Sequence, residues 1–145
     1  MDKNKIKFVV AIQCEHSRTR CSGFACANSF FERNCSFAGY PEDTKFITMT
    51  CGGCNGAGVA GQLEHFAKKM HAMTDVKKSE VAVHFASCAV TENRHHDRCP
   101  YIENMKDIVE RHGFADVIEG TFESPATKKL REMGKYKTYE SVCFE

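Results

Sequence analysis

The chain has 145 residues, 20 lysines and arginines against 19 acidic residues, and a formal net charge of +1. That length suits one domain with its own hydrophobic core, and the charge balance excludes a global bias toward nucleic acid or an anionic membrane. Nine cysteines are many for a reducing compartment, where clustered thiols more often signal metal binding or redox chemistry than disulfides.

The amino terminus is charged and runs straight into an apolar segment, Ile6 to Ile12. It lacks the long apolar region and small-residue cleavage site of a signal peptide, and no apolar run is long enough to span a bilayer. A cytoplasmic protein with no membrane partner is the expectation. Ile6 to Ile12 itself reads as a buried parallel strand. Phe24 to Phe31 offers a short helix after it. Phe46 to Met49, with its threonines, has the β-branched and aromatic character of a second strand. Leu63, Phe66, Ala67, Met70 and Met73 then recur at helical spacing. Val81 to Phe85 is a third strand. Ile102, Met105, Ile108 and Val109 mark another helix, with Gly113 placed to cap its end. Asp116 to Gly120 supplies a fourth strand, and Pro125 opens a last helix through Leu130 and Met133. Lys135 to Glu145 reads equally as a strand or a loose terminus.

Strands alternating with helices predict an α/β fold: three layers, a mostly parallel sheet of about four or five strands, and a flavodoxin-like topology. Residues 1–145 form a single domain in this reading, with 122–145 as a C-terminal extension.

Cys14 follows the first strand, Cys51 the second, and Cys88 lies just past the third. In a parallel sheet these positions share the carboxyl edge, where ligands of such folds bind. The second of these loops reads Cys51-Gly52-Gly53-Cys54-Asn55-Gly56-Ala57-Gly58. Two thiols separated by two residues suit chelation of one ion, and Gly52 and Gly53 allow close backbone approach and N–H donation to metal-bound sulfur. The first loop adds His16, Cys21 and Cys26; the third adds His95, His96 and Cys99. Thiolate with imidazole is the zinc donor set, and thiolate alone also suits an iron–sulfur cluster. Ser17, Thr19, Ser22 and Gly23 show no regular phosphate-cradling spacing. Lys68-Lys69 and Lys77-Lys78 lack interleaved aromatics, so nucleic acid is not an expected partner.

Cys51-Gly52-Gly53-Cys54, Cys14 at the first strand's end, His84-Phe85-Ala86-Ser87-Cys88, Cys99-Pro100 and Glu119-Gly120-Thr121 keep the order of one known pattern. Over about Ile6 to Thr121 the chain resembles the CGGC domain family, described as a metal-binding and generally zinc-binding domain. The resemblance implies a metal ion or cluster as partner. The family often carries histidine after Gly-Thr, whereas this chain has Phe122, so no role of that histidine carries over. The metal-ligand set read from sequence is Cys14, Cys51, Cys54, Cys88, Cys99, Cys21, Cys26 and His16, for zinc or alternatively an iron–sulfur cluster. The competing reading is a thiol–disulfide protein using the Cys51/Cys54 pair with a redox partner protein.

Overall fold

A computed structural model describes residues 1–144. Four strands form one sheet: β1 (Phe8–Gln13), β2 (Lys45–Thr50), β3 (Val81–Phe85) and β4 (Asp116–Glu119). They are all parallel, in the order β2-β1-β3-β4. The helices are α1 (Phe24–Glu32), α2 (Val59–Met73), α3 (Ser87–Val90), α4 (Ile102–Arg111) and α5 (Pro125–Glu132). The single turn α3 has no periodic apolar pattern and was not expected from sequence.

Alternation along the strands divides the core between the two faces of the sheet. Val10, Ile12, Val83 and Phe85 pack under α2 and α4 with Leu63, Ile102 and Val109. Val9 and Ala82 face the other way, toward Phe30 of α1, Phe37 and Tyr40. Two core clusters on opposite sheet faces make the α/β three-layer arrangement.

Helix α4 ends in a Schellman motif: Gly113, at φ +90°, donates to Glu110 O at 3.0 Å, and Phe114 N–H reaches Val109 O at 3.3 Å. Only glycine takes that left-handed conformation without steric cost. Through Phe144 the tail is neither a strand nor loose, and Glu145 lies outside the described residues. Val142 makes one parallel bridge to Glu119, and Cys143 N–H donates to Glu119 O at 2.9 Å. The strand order agrees with the first four positions of a 2-1-3-4-5 doubly wound sheet. The fifth position holds this single bridge instead of a strand, so a flavodoxin-like topology is not confirmed.

Candidate metal centre

Strand register decides which cysteines meet. Ile12 pairs with Met49 on one side and with Phe85 on the other, all three packed toward α2 and α4. Cys14 and Cys51 each lie two residues beyond members of that row, so both continue on the same face. Cys88 leaves the sheet on the single turn α3 and borders the cavity on the α1 side, where the Cys14 backbone amide still reaches its sulfur. The sulfurs at the sheet edge accordingly fall into two cavities.

The first is a cleft of about 570 Å³ lined by Cys14, Cys51, Cys54, Cys99, His16 and His96. Cys14, Cys51 and Cys99 also border a small void of about 20 Å³ beneath it. The Cys-Gly-Gly-Cys turn builds one wall. Cys51 N–H extends the β1 ladder to Gln13 O at 2.9 Å, and its carbonyl accepts Gly58 N–H at 2.9 Å. This closes the loop so tightly that a Cβ on Gly52 would lie 2.5 Å from Gly58 Cα. Gly52 N–H donates to Thr50 Oγ1 at 3.2 Å.

Other backbone amides reach the sulfurs. Ser17 N–H lies 3.5 Å from Cys14 Sγ, Glu15 N–H 3.4 Å from Cys51 Sγ, and Tyr101 N–H 3.4 Å from Cys99 Sγ. Such contacts lower the energy of negative charge on sulfur, free or metal-bound.

Cys14 also meets His96. Its Sγ is 3.2 Å from His96 Nε2, while His96 Nδ1 lies 2.5 Å from Asp97 O. A carbonyl oxygen can only accept, so Nδ1 carries a proton and Nε2 faces the thiol. Burial pushes the Cys14 thiol up, but hydrogen bonds from Ser17 and the contact with His96 outweigh it and hold Cys14 below its ordinary value. Burial opposes charge on His96 too, yet the Asp97 carbonyl and Cys14 raise it overall. Cys99 is shifted upward, first by burial and also by the nearness of Cys14, Cys51 and Cys54.

The second cavity, on the α1 face, holds Cys21, Cys26 and Cys88. Burial pushes Cys88 up to about 12 and also raises Cys26. Thus Cys14, Cys51, Cys54, Cys99 and His16 share one cleft, while Cys21, Cys26 and Cys88 occupy its neighbour. Sequence places His96 in the third loop as a candidate secondary donor outside the principal set, and the structure sets it beside Cys14. Cys35 Sγ accepts Glu123 N–H at 3.4 Å, away from both sets.

Among the described residues, no disulfide joins the cysteines, and no three His, Cys, Asp or Glu side chains are gathered closely enough to hold a metal ion. The donor chemistry of the first cleft nonetheless fits a thiophilic metal: four thiols, two imidazoles and amide donors directed at sulfur.

The CGGC domain family model matches residues 8–122. The chain belongs to the CGGC domain family. No curated protein and no solved structure matches it. The matched span of the CGGC domain covers all four strands and both cavities' cysteines, and leaves α5 and the tail outside. Among the described residues of this CGGC domain, no helix is long and apolar enough to cross a membrane.

Proposed function

We propose that this CGGC domain binds a thiophilic metal ion, zinc in preference to an iron–sulfur cluster, through Cys14, Cys51, Cys54 and Cys99, with His96 as an exchangeable donor. The observation that carries this reading is the convergence of four cysteines from three separate loops on one cleft at the carboxyl edge of the sheet. Zinc is favoured because an imidazole already faces Cys14, and mixed sulfur and nitrogen sets suit zinc. When bound, the ion supplies a cross-link between loops and, with one position open, a Lewis acid.

The chain's own residues prepare that site. The amides of Glu15, Ser17 and Tyr101 offset charge on three sulfurs. The Asp97 carbonyl fixes the His96 ring with Nε2 toward the cleft. Cys54 is exposed and would have to move toward the other donors to ligate the same ion, which would couple loop ordering to metal binding.

Anaerobic metal quantitation with an absorption spectrum tests the proposal on the wild type, Cys51→Ser and Cys26→Ser. Stoichiometric zinc in a colourless wild type, lost in Cys51→Ser and kept in Cys26→Ser, is expected. A broad visible band identifies an iron–sulfur cluster instead. Unchanged occupancy in Cys51→Ser overturns the assignment.

A second reading is thiol–disulfide exchange with a partner protein. The Cys14–His96 contact favours Cys14 as the attacking thiol, with Cys51 or the Cys51/Cys54 pair resolving the mixed disulfide. Alkylation mapping of oxidised, metal-free protein would then find these residues protected.

A further inference from the structure

The cavity on the α1 face is unlike the metal cleft in charge. About 220 Å³ in volume, it is bordered by Arg18, Arg94 and Arg131, three arginines brought from the β1 loop, the loop after α3 and helix α5. Arg131 is paired with Glu123 at 3.0 Å. Among the described residues no carboxylate forms an ion pair with Arg18 or Arg94. Arg18 Nη1 donates instead to two neutral oxygens, Gln13 Oε1 at 3.0 Å and Ser22 O at 2.9 Å. Three guanidiniums against one acid leave an uncompensated positive field over a concave surface.

The thiols of this cavity do not cancel that field. Burial keeps Cys26 and Cys88 protonated, so they stand at its wall as neutral groups. The position of Arg18 is built in: a Cβ on Gly23, at φ +82°, would fall 2.0 Å from Arg18 Nη1. Glycine at the start of α1 is what lets the guanidinium lie there. The rest of the wall includes Ala25 and Phe122, and Thr121 and Thr127 supply hydroxyls.

We propose that this second cavity binds the oxyanion end of a small organic molecule, a phosphate or carboxylate group held by Arg18, Arg94 and Arg131, with the apolar wall against the remainder. Guanidinium forks match both groups in bidentate fashion. The site is independent of the metal reading, since it uses none of the cleft's donors. It also gives Cys21, Cys26 and Cys88 a place other than in a metal shell.

Alkylation of the full chain by iodoacetamide, followed by peptide mass spectrometry, tests it. Inorganic phosphate and succinate are titrated separately, with ionic strength held constant by chloride. Saturable slowing at Cys21, without slowing at Cys54 in the other cleft, is expected from phosphate, from succinate or from both, and the effective anion identifies the group. Arg18→Gln and Arg94→Gln, both exposed positions, should each weaken the protection about tenfold or more, the loss of a charge-assisted hydrogen bond. Arg111→Gln, on the far end of α4, should leave it unchanged. Protection by neither anion, equal protection at Cys54, or undiminished protection in a folded Arg18→Gln/Arg94→Gln double variant would overturn the proposal.

Discussion

Cys14 Sγ and His96 Nε2 lie 3.2 Å apart although 82 positions separate them in the chain. The link joins the end of the first strand to the loop after the third, and it makes each group's ionisation depend on the other. Replacing His96 by Ala removes a hydrogen bond and a cationic neighbour that both lower Cys14. The Cys14 thiol is therefore expected to titrate at higher pH in the variant, and Ser17→Ala should shift it the same way. The rate of Cys14 alkylation against pH in metal-free protein measures this. A midpoint that stays put, or moves down, would show that the contact does not govern the thiol.

The loop before α2 makes a sharper steric prediction. Gly52 sits at φ +69° with Gly58 backbone 2.5 Å from its notional Cβ, whereas Gly53, at φ +119°, has nothing within 4 Å. Alanine at either site is strained, costing about 1–3 kcal/mol. At Gly52 it must also push the Cys51 end of the loop away from Gly58. Gly52→Ala should be the more destabilising in urea unfolding and should lose metal occupancy, while Gly53→Ala keeps most of it. Equal losses in both would mean that backbone conformation alone matters there.

The tail bears on the site from outside the family's matched span. Asp97, next to His96, accepts Lys137 Nζ at 2.8 Å and Tyr139 Oη at 2.9 Å, and these contacts with Arg98 N–H hold its carboxyl near pH 2. Arg98 in turn pairs with buried Glu119, which also accepts Lys106 and Ser141. Tyr139→Phe combined with Lys137→Ala should speed amide exchange across residues 93–99 without speeding it in β1. Unchanged exchange in that loop would show that Arg98 and Glu119 hold it unaided.

Much of this was legible in the sequence. Each of the four strands announces itself as a short run of β-branched and aromatic residues, and Gly113 marks the end of α4, because local conformation and burial leave direct traces in composition. The placement of Cys14 and Cys51 at strand ends was readable for the same reason. The position of Cys88 was not readable, because it lies on the single turn α3, which has no periodic pattern and turns the chain away from the strand direction. Cys21, Cys26 and the cluster of Arg18, Arg94 and Arg131 depend on how loops and α5 pack, and loop paths leave no periodic signal. The role of the tail was hidden similarly, since it is held by one backbone bridge at Glu119 and by scattered hydrogen bonds to Glu92, Asp97 and Glu119, which leave no periodic pattern.

Two buried groups outside the cleft set the acid response of the fold. His84 accepts Tyr40 O–H at Nε2, 2.7 Å away, and donates from Nδ1 to Gly120 O at 2.8 Å. Burial holds it neutral and depresses it to about 4 from 6.5. Glu119 is opposed by burial but drawn down to about 2 from 4.5 by Arg98, Lys106 and Ser141. Both folded values lie below their unfolded ones, so each contributes stability that is full above the unfolded value and lost as pH falls toward the folded one. Stability of metal-free protein should decline between pH 6.5 and 4 through His84, by roughly 3 kcal/mol. It should decline again between pH 4.5 and 2 through Glu119, by a loss on the order of 3 kcal/mol. Urea unfolding across this range, compared with His84→Gln, separates the two. The variant starts less stable, because Tyr40 and Gly120 lose an imidazole fitted to both, and its stability should change little from pH 6.5 to 4.5. A wild-type slope retained in His84→Gln would assign the upper transition to other groups.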